Sequence, residues 1–423
     1  MPKPIFLHSG WRSGSTYLWN KFRRIDRFVA FYEPFNEILA SVTAERARTL
    51  STLSWSGSNH PELDRPYFAE YGPLIDVAGV RGYRESFALT NYFRNDTDLE
   101  DQHDYLSGLL DHAASVGKVA VLGFVRSVGR VRWLRRRFDA VHILLIRDPV
   151  QQWASGHLQR IHHGNPYFHL MPYMILGQAP ECAARVGARA IAQDEPLGQR
   201  FSRHLDAFGA DPPGESLRVF LHYHLATHLA ACDGCDLVVD IDLLSQDPVY
   251  RAQIETELDA LTDTRFDFSD AHVGRHDLGA LGMRLTRTLD EFLRLHAAPH
   301  ARERARRADT SRAAGTIMDK MSASLLAAAL ECGVPSSGAA DQARASCDPG
   351  DCVEALASAL NEIQTRRTEL EFADAHVAAL QQKAAALEQG LAAIHASSSW
   401  RITAPLRALA EAARNLTRRS DDR

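Results

Sequence analysis

The stretch HSGWRSGSTYL, His8–Leu18, decides the fold, because a strand pattern ends and a helix pattern begins within it. The residues PIFL just before it form a short apolar run, typical of a buried strand. After it, Leu18 and Phe22 lie four residues apart, and Ser15 stands where a helix N-cap is expected. A strand, a Gly/Ser turn and a helix start form an anion site, because backbone N–H groups point toward the ligand there. An ordinary strand–helix connection has the same pattern, so the ligand stays open at this point.

The loop differs in one respect from the nucleotide triphosphatase loop, G-x-x-x-x-G-K-[ST]. Gly10 and Gly14 let the backbone approach a ligand closely, but only three residues separate them and no lysine follows. Arg12 supplies a planar cation that suits phosphate or sulfate oxygens. Hydroxyl donors are added by Ser13, Ser15 and Thr16. Without the lysine, the loop lacks the usual ligand of a nucleotide γ-phosphate.

Further apolar runs extend the strand–helix alternation along the chain. They are FVAFY (Phe28–Tyr32), KVAVLGF (Lys118–Phe124), AVHILLI (Ala140–Ile146) and DLVVDI (Asp236–Ile241). Strands that are apolar on both faces and alternate with helices indicate a parallel sheet with helices on both faces. We therefore predict an α/β domain with a P-loop-like central parallel sheet. Ligands of such sheets bind beyond the carboxyl ends of the strands, and the polar motifs of this chain follow the strands there.

The second polar motif, FYEP (Phe31–Pro34), puts a carboxylate directly after a predicted strand. Pro34 favours an extended conformation for Glu33, which would hold the carboxylate at the strand end. A carboxylate beside an anion loop repels the ligand, but it suits a general base that takes a proton from a hydroxyl nucleophile. The alternative is a surface glutamate that caps the next helix.

The third polar motif is IRDPVQQWASGHLQR (Ile146–Arg160). Arg147 follows a predicted strand, and Pro149 occupies a favourable first-turn position of the next helix. Ser155 lies two turns into that helix, so Arg147 and Ser155 are candidates for binding one phosphate group together. The alternative is a structural ion pair between Arg147 and Asp148.

In this order, the three motifs resemble those of sulfotransferases that use 3′-phosphoadenosine-5′-phosphosulfate (PAPS), above all the carbohydrate sulfotransferases. The family signature runs W-R-S-G-S-[ST], a helix, an aromatic strand and then Y-E-P. This chain has WRSGST and FVAFYEP at nearly that spacing. The resemblance implies that the phosphosulfate is bound by Arg12, Ser13, Gly14, Ser15 and Thr16. It also implies that the 3′-phosphate is bound by Arg147 and Ser155.

The resemblance covers residues 4–250 and departs from the family at several points. LVVDIDLLSQDP (Leu237–Pro248) resembles a later Y-E-D-L…P segment, with Asp242 near its acidic position. HVGRHDLG (His272–Gly279) is the candidate for the Gly-rich segment that completes the 3′-phosphate site. Golgi-type members carry an N-terminal membrane anchor that this sequence does not show. Many cytosolic members have a lysine at the position of Arg12 and a histidine as the base.

The implied function is transfer of the sulfuryl group of PAPS to a hydroxyl of a carbohydrate by in-line displacement. Glu33 and Arg12 are the predicted catalytic residues: Glu33 accepts the hydroxyl proton, and Arg12 stabilises charge on the leaving phosphate. A sulfuryl group carries less negative charge than a phosphoryl group, so no metal ion is expected. Two alternatives stay open. One is a nucleotide-dependent kinase, and the other is a non-catalytic coiled-coil scaffold for polysaccharide enzymes.

The sequence divides into four parts. Residues 1–332 form the predicted α/β domain, and 333–352, rich in Gly, Ser, Pro and Ala, indicate a flexible linker. In 353–396 a seven-residue apolar repeat predicts a coiled coil, with one long helix folded back on the domain as the alternative. The repeat consists of Leu356, Ile363, Leu370, Val377, Ala384 and Leu391. The tail, 397–423, begins with SSSWRITAPLR and resembles a tail of bacterial glycosyltransferases of surface-polysaccharide assembly. We therefore expect a homo-oligomer or a partner helix, and a bacterial surface polysaccharide as the context.

Composition excludes several other classes. A net charge of −5 gives no indication of nucleic-acid binding, and no apolar run approaches the 18 residues of a membrane span. Without a signal-peptide pattern either, we expect a cytoplasmic protein with reduced cysteines, including the pair Cys232 and Cys235. His224 and His228 have the spacing of zinc ligands but lack an evident third ligand. Six arginines in 126–138 either attract an anionic ligand or form a solvated helix face.

Overall fold

The computed structural model describes residues 2–50, 63–77, 79–90, 92–93, 99–179, 195–296 and 312–332. The linker, the coiled coil and the tail predicted at 333–352, 353–396 and 397–423 lie outside the described residues. Every helix within the described residues is either too short or too polar to cross a lipid bilayer.

Five short apolar runs form one parallel sheet in the order β2-β3-β1-β4-β5. The strands are β1 (Ile5–His8), β2 (Phe28–Tyr32), β3 (Val119–Phe124), β4 (Val141–Ile146) and β5 (Leu237–Asp240). Every residue of β1, β3 and β4 is buried, because helices cover both faces of the sheet. The predicted α/β fold with a central parallel sheet is confirmed.

Strand β1 lies at the centre of the sheet, between β3 and β4. The chain leaves β1 for the edge strand β2, returns to β3, and then passes β1 to reach β4. Such a reversal of direction is the point where ligands bind in open α/β sheets. Because all strands are parallel, the segments that follow β1, β2, β3 and β4 meet at this same edge of the sheet.

Twelve α-helices lie within the described residues. They are α1 (Ser15–Arg23), α2 (Ala44–Thr49), α3 (Glu100–Ser115), α4 (Val131–Arg137), α5 (Pro149–His163), α6 (Tyr167–Leu176), α7 (Leu197–Phe208), α8 (Pro213–Ala231), α9 (Ile241–Gln246), α10 (Pro248–Thr262), α11 (Gly282–His296) and α12 (Arg312–Glu331). Helices α1 and α3 belong to crossovers that run in opposite directions along the sheet. Since parallel crossovers are right-handed, these two helices cover opposite faces.

Two hydrophobic cores hold these elements together. In the first, the helix α1 packs on the sheet through Trp19, and Gly123 of β3 makes room for the indole. A Cβ atom at position 123 would lie 2.7 Å from Cδ1 of Trp19. The second core joins α5, α6, α8, α11 and α12 and includes Trp11, from the loop after β1. The loop is therefore anchored both to the sheet and to helices that come much later in the sequence.

Candidate functional site

The loop after β1 leaves the first amides of α1 available. Arg12 and Gly14 have positive φ angles of 62° and 84°. Gly14 takes the N-cap position in a left-handed conformation, and a Cβ there would lie 3.1 Å from the Ile241 side chain. The prediction that Ser15 caps the helix is wrong: Ser15 is its first residue, and no side chain caps α1. Within the described residues the N–H groups of Ser15 and Thr16 donate to no acceptor, an arrangement that suits an anion.

Two hydroxyl groups of the loop are used inside the protein. The Ser13 hydroxyl donates to the carbonyl of Gly10 at 2.7 Å, which tightens the turn. The hydroxyls of Thr16 and Tyr32 share a hydrogen bond of 3.1 Å. The loop is thus shaped by its own side chains, and its backbone amides remain as the donors for a ligand.

The side chain of Arg12 extends from the loop toward α5 and α6. Its Nε donates to the Ser155 hydroxyl at 3.0 Å, and its guanidinium lies 5.3 Å from the centre of the Phe168 ring. Burial, and next the charge of Arg147, lower the pKa of Arg12 to about 10. Arg12 therefore stays charged near neutrality, in a site that makes its charge costly.

Arg147, at the end of β4, is tied to backbone carbonyls. Nη1 donates to the carbonyl of Arg12 and Nη2 to that of Gly274, both at 2.8 Å. The Asp148 carboxylate instead accepts from the amide of Gln151 at 2.9 Å and the hydroxyl of Ser324 at 2.5 Å. Arg147 and Asp148 therefore do not form the structural ion pair that was the alternative. Burial lowers the pKa of Arg147, although Asp242 and Asp148 oppose this effect.

Arg12 and Arg147 together form a cationic pair that no carboxylate contacts directly within the described residues. Neither guanidinium forms an ion pair with a carboxylate in the described part of the chain. They are close enough that the charge of Arg147 lowers the pKa of Arg12. Two adjacent cations in a largely buried site are costly unless an anion joins them. The sequence-predicted residues Arg12, Arg147 and Ser155 are thus brought together, and Arg12 is the residue that links the other two.

The segment His272–Gly279, the candidate Gly-rich segment, also lies at this site. Gly274 accepts the hydrogen bond from Arg147. The backbone amide of His276 donates to the Gln151 side chain at 2.7 Å, and the side-chain Nε2 of Gln151 donates to the carbonyl of His276 at 3.1 Å. Burial, and then the charges of Arg147 and Arg12, lower the pKa of His276. The segment His272–Gly279 therefore contacts Arg147, although it is far from the loop after β1 in the sequence.

Glu33, at the end of β2, has a backbone conformation that the sequence does not predict. Its φ angle is 44°, so the expected extended conformation before Pro34 is wrong. The amide of Glu33 donates to the carbonyl of Gly123 at 2.8 Å, and its carbonyl accepts from the amide of Asn36 at 2.8 Å. These bonds make a tight turn at the strand end and override the local preference.

The carboxylate of Glu33 is buried and fully engaged at one oxygen. Oε2 accepts hydrogen bonds from Nη1 of Arg126 and, at 2.8 Å, from the Asn36 side chain. The next helical turn is capped by Asn36, whose side chain accepts from the amide of Ile38 at 3.1 Å. The alternative of a surface glutamate that caps this turn is therefore wrong. Arg126 was counted only among the arginines of an arginine-rich stretch, and nothing in the sequence singles it out.

Two tyrosines lie near both Arg12 and Glu33, and the sequence motifs identify neither as a site residue. The rings of Tyr32 and Tyr67 are 4.7 Å apart, and both residues are buried. Burial and the Glu33 carboxylate raise the pKa of Tyr32 well above its usual range. They also raise the pKa of Tyr67, which the charge of Arg12 lowers again. Both hydroxyls therefore stay protonated near neutrality.

Asp242 supports the site from behind. Its Oδ2 accepts from the amide of Asp148 at 2.6 Å and forms an ion pair of 2.7 Å with Lys320 of α12. Lys320 also contacts Asp240 at 2.8 Å. Asp242 thus fixes the start of α5 beside Arg147, and Lys320 is a further residue that no sequence motif identified.

Trp11, next to Arg12 in the loop, packs within the protein. Its carbonyl accepts from the Gln152 side chain at 2.6 Å. Its ring lies 6.3 Å from that of Tyr167, 6.2 Å from that of Tyr223 and 5.5 Å from the guanidinium of Arg126. The indole Nε1 is buried and has no hydrogen-bond partner in the described residues. Trp11 therefore connects the anion loop to Arg126.

The arginine-rich stretch divides into buried and exposed members. Arg130 is buried and donates to the carbonyls of Phe87, Ala88 and Thr90. The exposed arginines of α4 form surface ion pairs, which join Arg132 to Asp233, Arg135 to Asp236 and Arg137 to Glu100. Val131 and Leu134 are buried on the inner face of α4. The outer face of α4 is therefore solvated, which is the second of the two alternatives given for the arginine-rich stretch.

The two other residue pairs noted in the sequence lie in the helical layer, where His224, His228 and Cys232 are buried and Cys235 is half-buried. His224 and His228 of α8 stack with ring centres 3.8 Å apart. Burial lowers the pKa of both imidazoles. Cys232 and Cys235 are free thiols at the end of the same helix.

Comparison with known proteins gives one structural match. No protein-family model matches the chain, and no curated protein matches it. Among solved structures, a sulfotransferase from Alicyclobacillus acidocaldarius aligns with 70% of this chain and 96% of its own. The identity is 14% and the TM-score is 0.30.

Proposed function

We propose that the protein is a sulfotransferase that moves the sulfuryl group of PAPS to a hydroxyl of a carbohydrate. The observation that carries this proposal is the cationic pair of Arg12 and Arg147, which has no carboxylate partner within the described residues. A ligand with two separate anionic groups would supply the missing negative charge. PAPS has two such groups, a 5′-phosphosulfate and a 3′-phosphate.

The donor would be held by residues of three segments. Arg12, the loop of Ser13 and Gly14, and the amides of Ser15 and Thr16 would bind the phosphosulfate, because a helix N-terminus and a guanidinium both favour an anion. Arg147, beside the segment His272–Gly279, would bind the 3′-phosphate. Ser155 accepts a hydrogen bond from Arg12 and still has its own hydroxyl proton to donate to that phosphate.

The residues around the donor would divide the chemistry between them. Bound PAPS supplies an electrophilic sulfur with a phosphate as its leaving group. Glu33 would take the proton of the attacking hydroxyl, as a general base. Arg12 and the loop amides would stabilise the negative charge that develops on the leaving oxygen. Tyr67, which stays protonated and lies near Arg12 and Glu33, would orient the acceptor hydroxyl by donating a hydrogen bond.

The acceptor class rests on sequence resemblance. The order of WRSGST, FYEP and IRDP is similar to that of carbohydrate sulfotransferases, and the tail is similar to that of bacterial polysaccharide glycosyltransferases. A bacterial surface polysaccharide or its precursor is therefore the proposed acceptor. We further propose that the segment 353–396 forms a coiled coil that joins copies of the chain or binds a partner helix.

A binding and transfer experiment tests the proposal. Calorimetry with 3′,5′-ADP, 5′-AMP and ATP–Mg²⁺ should show that 3′,5′-ADP binds most tightly. Sulfur-labelled PAPS should then transfer label to a fraction of a bacterial polysaccharide extract. Tighter binding of ATP–Mg²⁺ than of 3′,5′-ADP would support the kinase alternative and remove the present proposal.

A further inference from the structure

One buried guanidinium, that of Arg126, bridges two carboxylates beside the proposed base. Nη1 donates to Oε2 of Glu33, and Nη2 donates to Oε2 of Glu37 at 2.7 Å and to the hydroxyl of Tyr167. The side chains of Arg126, Glu33 and Glu37 are 3%, 11% and 32% exposed. Glu37 is thus the member of this group that reaches the surface.

The position of Arg126 is fixed by elements on every side. The chain reaches it directly after β3, and the rings of Trp11 and Tyr167 lie 5.5 Å and 5.9 Å from its guanidinium carbon. Burial alone would lower the pKa of Arg126, but the carboxylates of Glu37 and Glu33 raise it well above its usual value. Arg126 therefore remains a cation, and its planar fork fixes the orientation of both carboxylates.

The charges of this group do not balance. Two carboxylates face one guanidinium, so the group carries one excess negative charge, which a single proton neutralises. A simple pair of one carboxylate and one guanidinium is already neutral, and a proton on that carboxylate would leave a buried cation without a partner. The group of Glu33, Arg126 and Glu37 is therefore better suited than a simple ion pair to accept a proton transiently.

We propose that Arg126 and Glu37 are positioning residues for the sulfuryl transfer, and that they hold Glu33 by Oε2 so that its other oxygen receives the acceptor's proton. This inference rests on the proposed function. In the step, the acceptor O–H bond breaks, its oxygen forms a bond to sulfur, and its proton moves to Oε1 of Glu33. The bond between sulfur and the bridging phosphate oxygen breaks, and its electron pair leaves with 3′,5′-ADP. The group of Glu33, Arg126 and Glu37 changes from one negative charge to none.

The remaining ionisable groups around this cluster keep one charge state near neutrality. Burial raises the pKa of the surrounding tyrosines, which are Tyr32, Tyr67, Tyr71, Tyr83, Tyr92, Tyr167 and Tyr223. Burial lowers the pKa of Arg130 to about 10, which still leaves it charged. The exposed carboxylate of Glu85 acts on Tyr83 from outside the cluster.

The test replaces Glu37, which is partly exposed, by an isosteric amide. Glu37→Gln keeps a hydrogen-bond acceptor for Arg126 but removes the excess charge. We expect kcat for PAPS cleavage, with water or p-nitrophenyl glycosides as acceptors, to fall about 10-fold because the base is weakened. Binding of 3′,5′-ADP should stay within about twofold, since the donor site is untouched. The ¹³C carboxyl chemical shift of Glu33, identified by its loss in Glu33→Gln, should differ from that in the unchanged protein, because Arg126 holds both carboxylates.

A matched control and a second variant separate positioning from folding. Glu215→Gln removes a carboxylate of similar exposure, 36%, that pairs with Arg218 away from the site, and it should change neither kcat nor the resonance. Arg126→Lys retains the charge but cannot bridge two carboxylates. Its kcat should therefore fall below that of the unchanged protein. An unchanged carboxyl chemical shift of Glu33 in Glu37→Gln would overturn the inference, whatever happens to kcat. If the unchanged protein fails to bind 3′,5′-ADP, the proposed function fails instead.

Discussion

The Nε atom of Arg12 donates a hydrogen bond of 3.0 Å to the hydroxyl of Ser155. This contact joins the loop after β1 to the middle of α5. It fixes the direction of the guanidinium, whose two terminal nitrogens have no partner among the described residues. The anion site is therefore organised by a side chain that itself carries no charge.

Replacing that side chain should weaken the donor site without disturbing the fold. We expect Ser155→Ala to reduce the affinity for 3′,5′-ADP about 10-fold, because it loses a hydrogen bond to a charged group. Calorimetry measures the affinity, and circular dichroism should show an unchanged unfolding temperature. Ser202→Ala, at an exposed helical position on α7, is the control and should bind as the unchanged protein does. Equal affinity in Ser155→Ala would exclude Ser155 from the donor site.

Removing Arg147 should distinguish the two anionic ends of the donor. Arg147→Ala is expected to weaken 3′,5′-ADP on the order of 100-fold, through lost charge-assisted hydrogen bonds, and 5′-AMP less than about twofold. Parallel calorimetric titrations of both nucleotides check this. Arg135→Ala removes an arginine from a surface ion pair with Asp236 and serves as the control. Equal weakening of both nucleotides would contradict a role in binding the 3′-phosphate.

Glu33→Gln should separate chemistry from binding. We expect the rate of PAPS cleavage to fall about 10²–10⁴-fold, the usual range for a general base, while 3′,5′-ADP binds as before. Burst and steady-state kinetics with labelled PAPS give the rate. The control Glu45→Gln lies on the exposed helix α2 and should retain full activity. A fully active Glu33→Gln would mean that another group takes the proton.

Lys320→Met should destabilise the domain, because Asp240 and Asp242 would lose their cation. The loss of one partner from a buried ion pair costs about 3–5 kcal/mol, whereas Lys118→Met, which breaks an exposed pair with Asp26, should cost less than about 1 kcal/mol. The two carboxylates raise the pKa of Lys320 against the effect of burial. A raised pKa in the folded state stabilises below the unfolded value of about 10.4, and this contribution is lost at higher pH. Urea unfolding of both variants should show a difference that is smaller at pH 11.5 than at pH 7.

Acid should unfold the domain cooperatively, because many of its histidines are buried and neutral. Burial lowers the pKa of His8, His142, His157, His169, His204, His224 and His228. Below the usual value of about 6.5 the unfolded chain binds more protons than the folded one, so stability falls as pH falls. Each histidine contributes up to about 1.4 kcal/mol per pH unit in this range. Several such contributions match a typical domain stability of about 5–15 kcal/mol, so unfolding should be complete before the pH reaches about 4.

Tryptophan fluorescence against pH measures that transition. His157 stacks on Trp153 with ring centres 4.8 Å apart, and His157→Phe keeps the stacking while removing the proton site. The midpoint should move to lower pH in His157→Phe and stay in place in His162→Gln, which alters an exposed histidine. Identical midpoints in all three proteins would show that other groups control acid unfolding.

The sheet could be predicted from the sequence because its strands are apolar on both faces. That pattern is local, and so are the turn at Gly14 and the helix start at Pro149. The meeting of Arg12, Arg147 and Ser155 followed from topology, since the ends of neighbouring parallel strands lie at one edge of the sheet. The sequence motifs therefore led to residues that the fold does bring together.

The residues that were missed depend on contacts between distant segments. Arg126 stands among arginines that serve other purposes, and its burial against Glu33 depends on the turn at the end of β2. That turn has a positive φ angle that Pro34 gives no reason to expect. Tyr67 belongs to a segment without helical or strand periodicity, and Lys320 contacts carboxylates that precede it by a long stretch of chain. Tertiary packing alone decides such positions.

The ion pairs of Lys320 also bear on the order in which the ribosome completes this site. Asp240 and Asp242 are synthesised roughly eighty residues before Lys320, which corresponds to about 4–16 s at usual rates of translation. During that interval the two carboxylates cannot form their ion pairs with Lys320. The start of α5 beside Arg147 then lacks its support from α12. Arg12 is thus synthesised early, but the contacts that support the neighbouring start of α5 can form only after α12 has emerged.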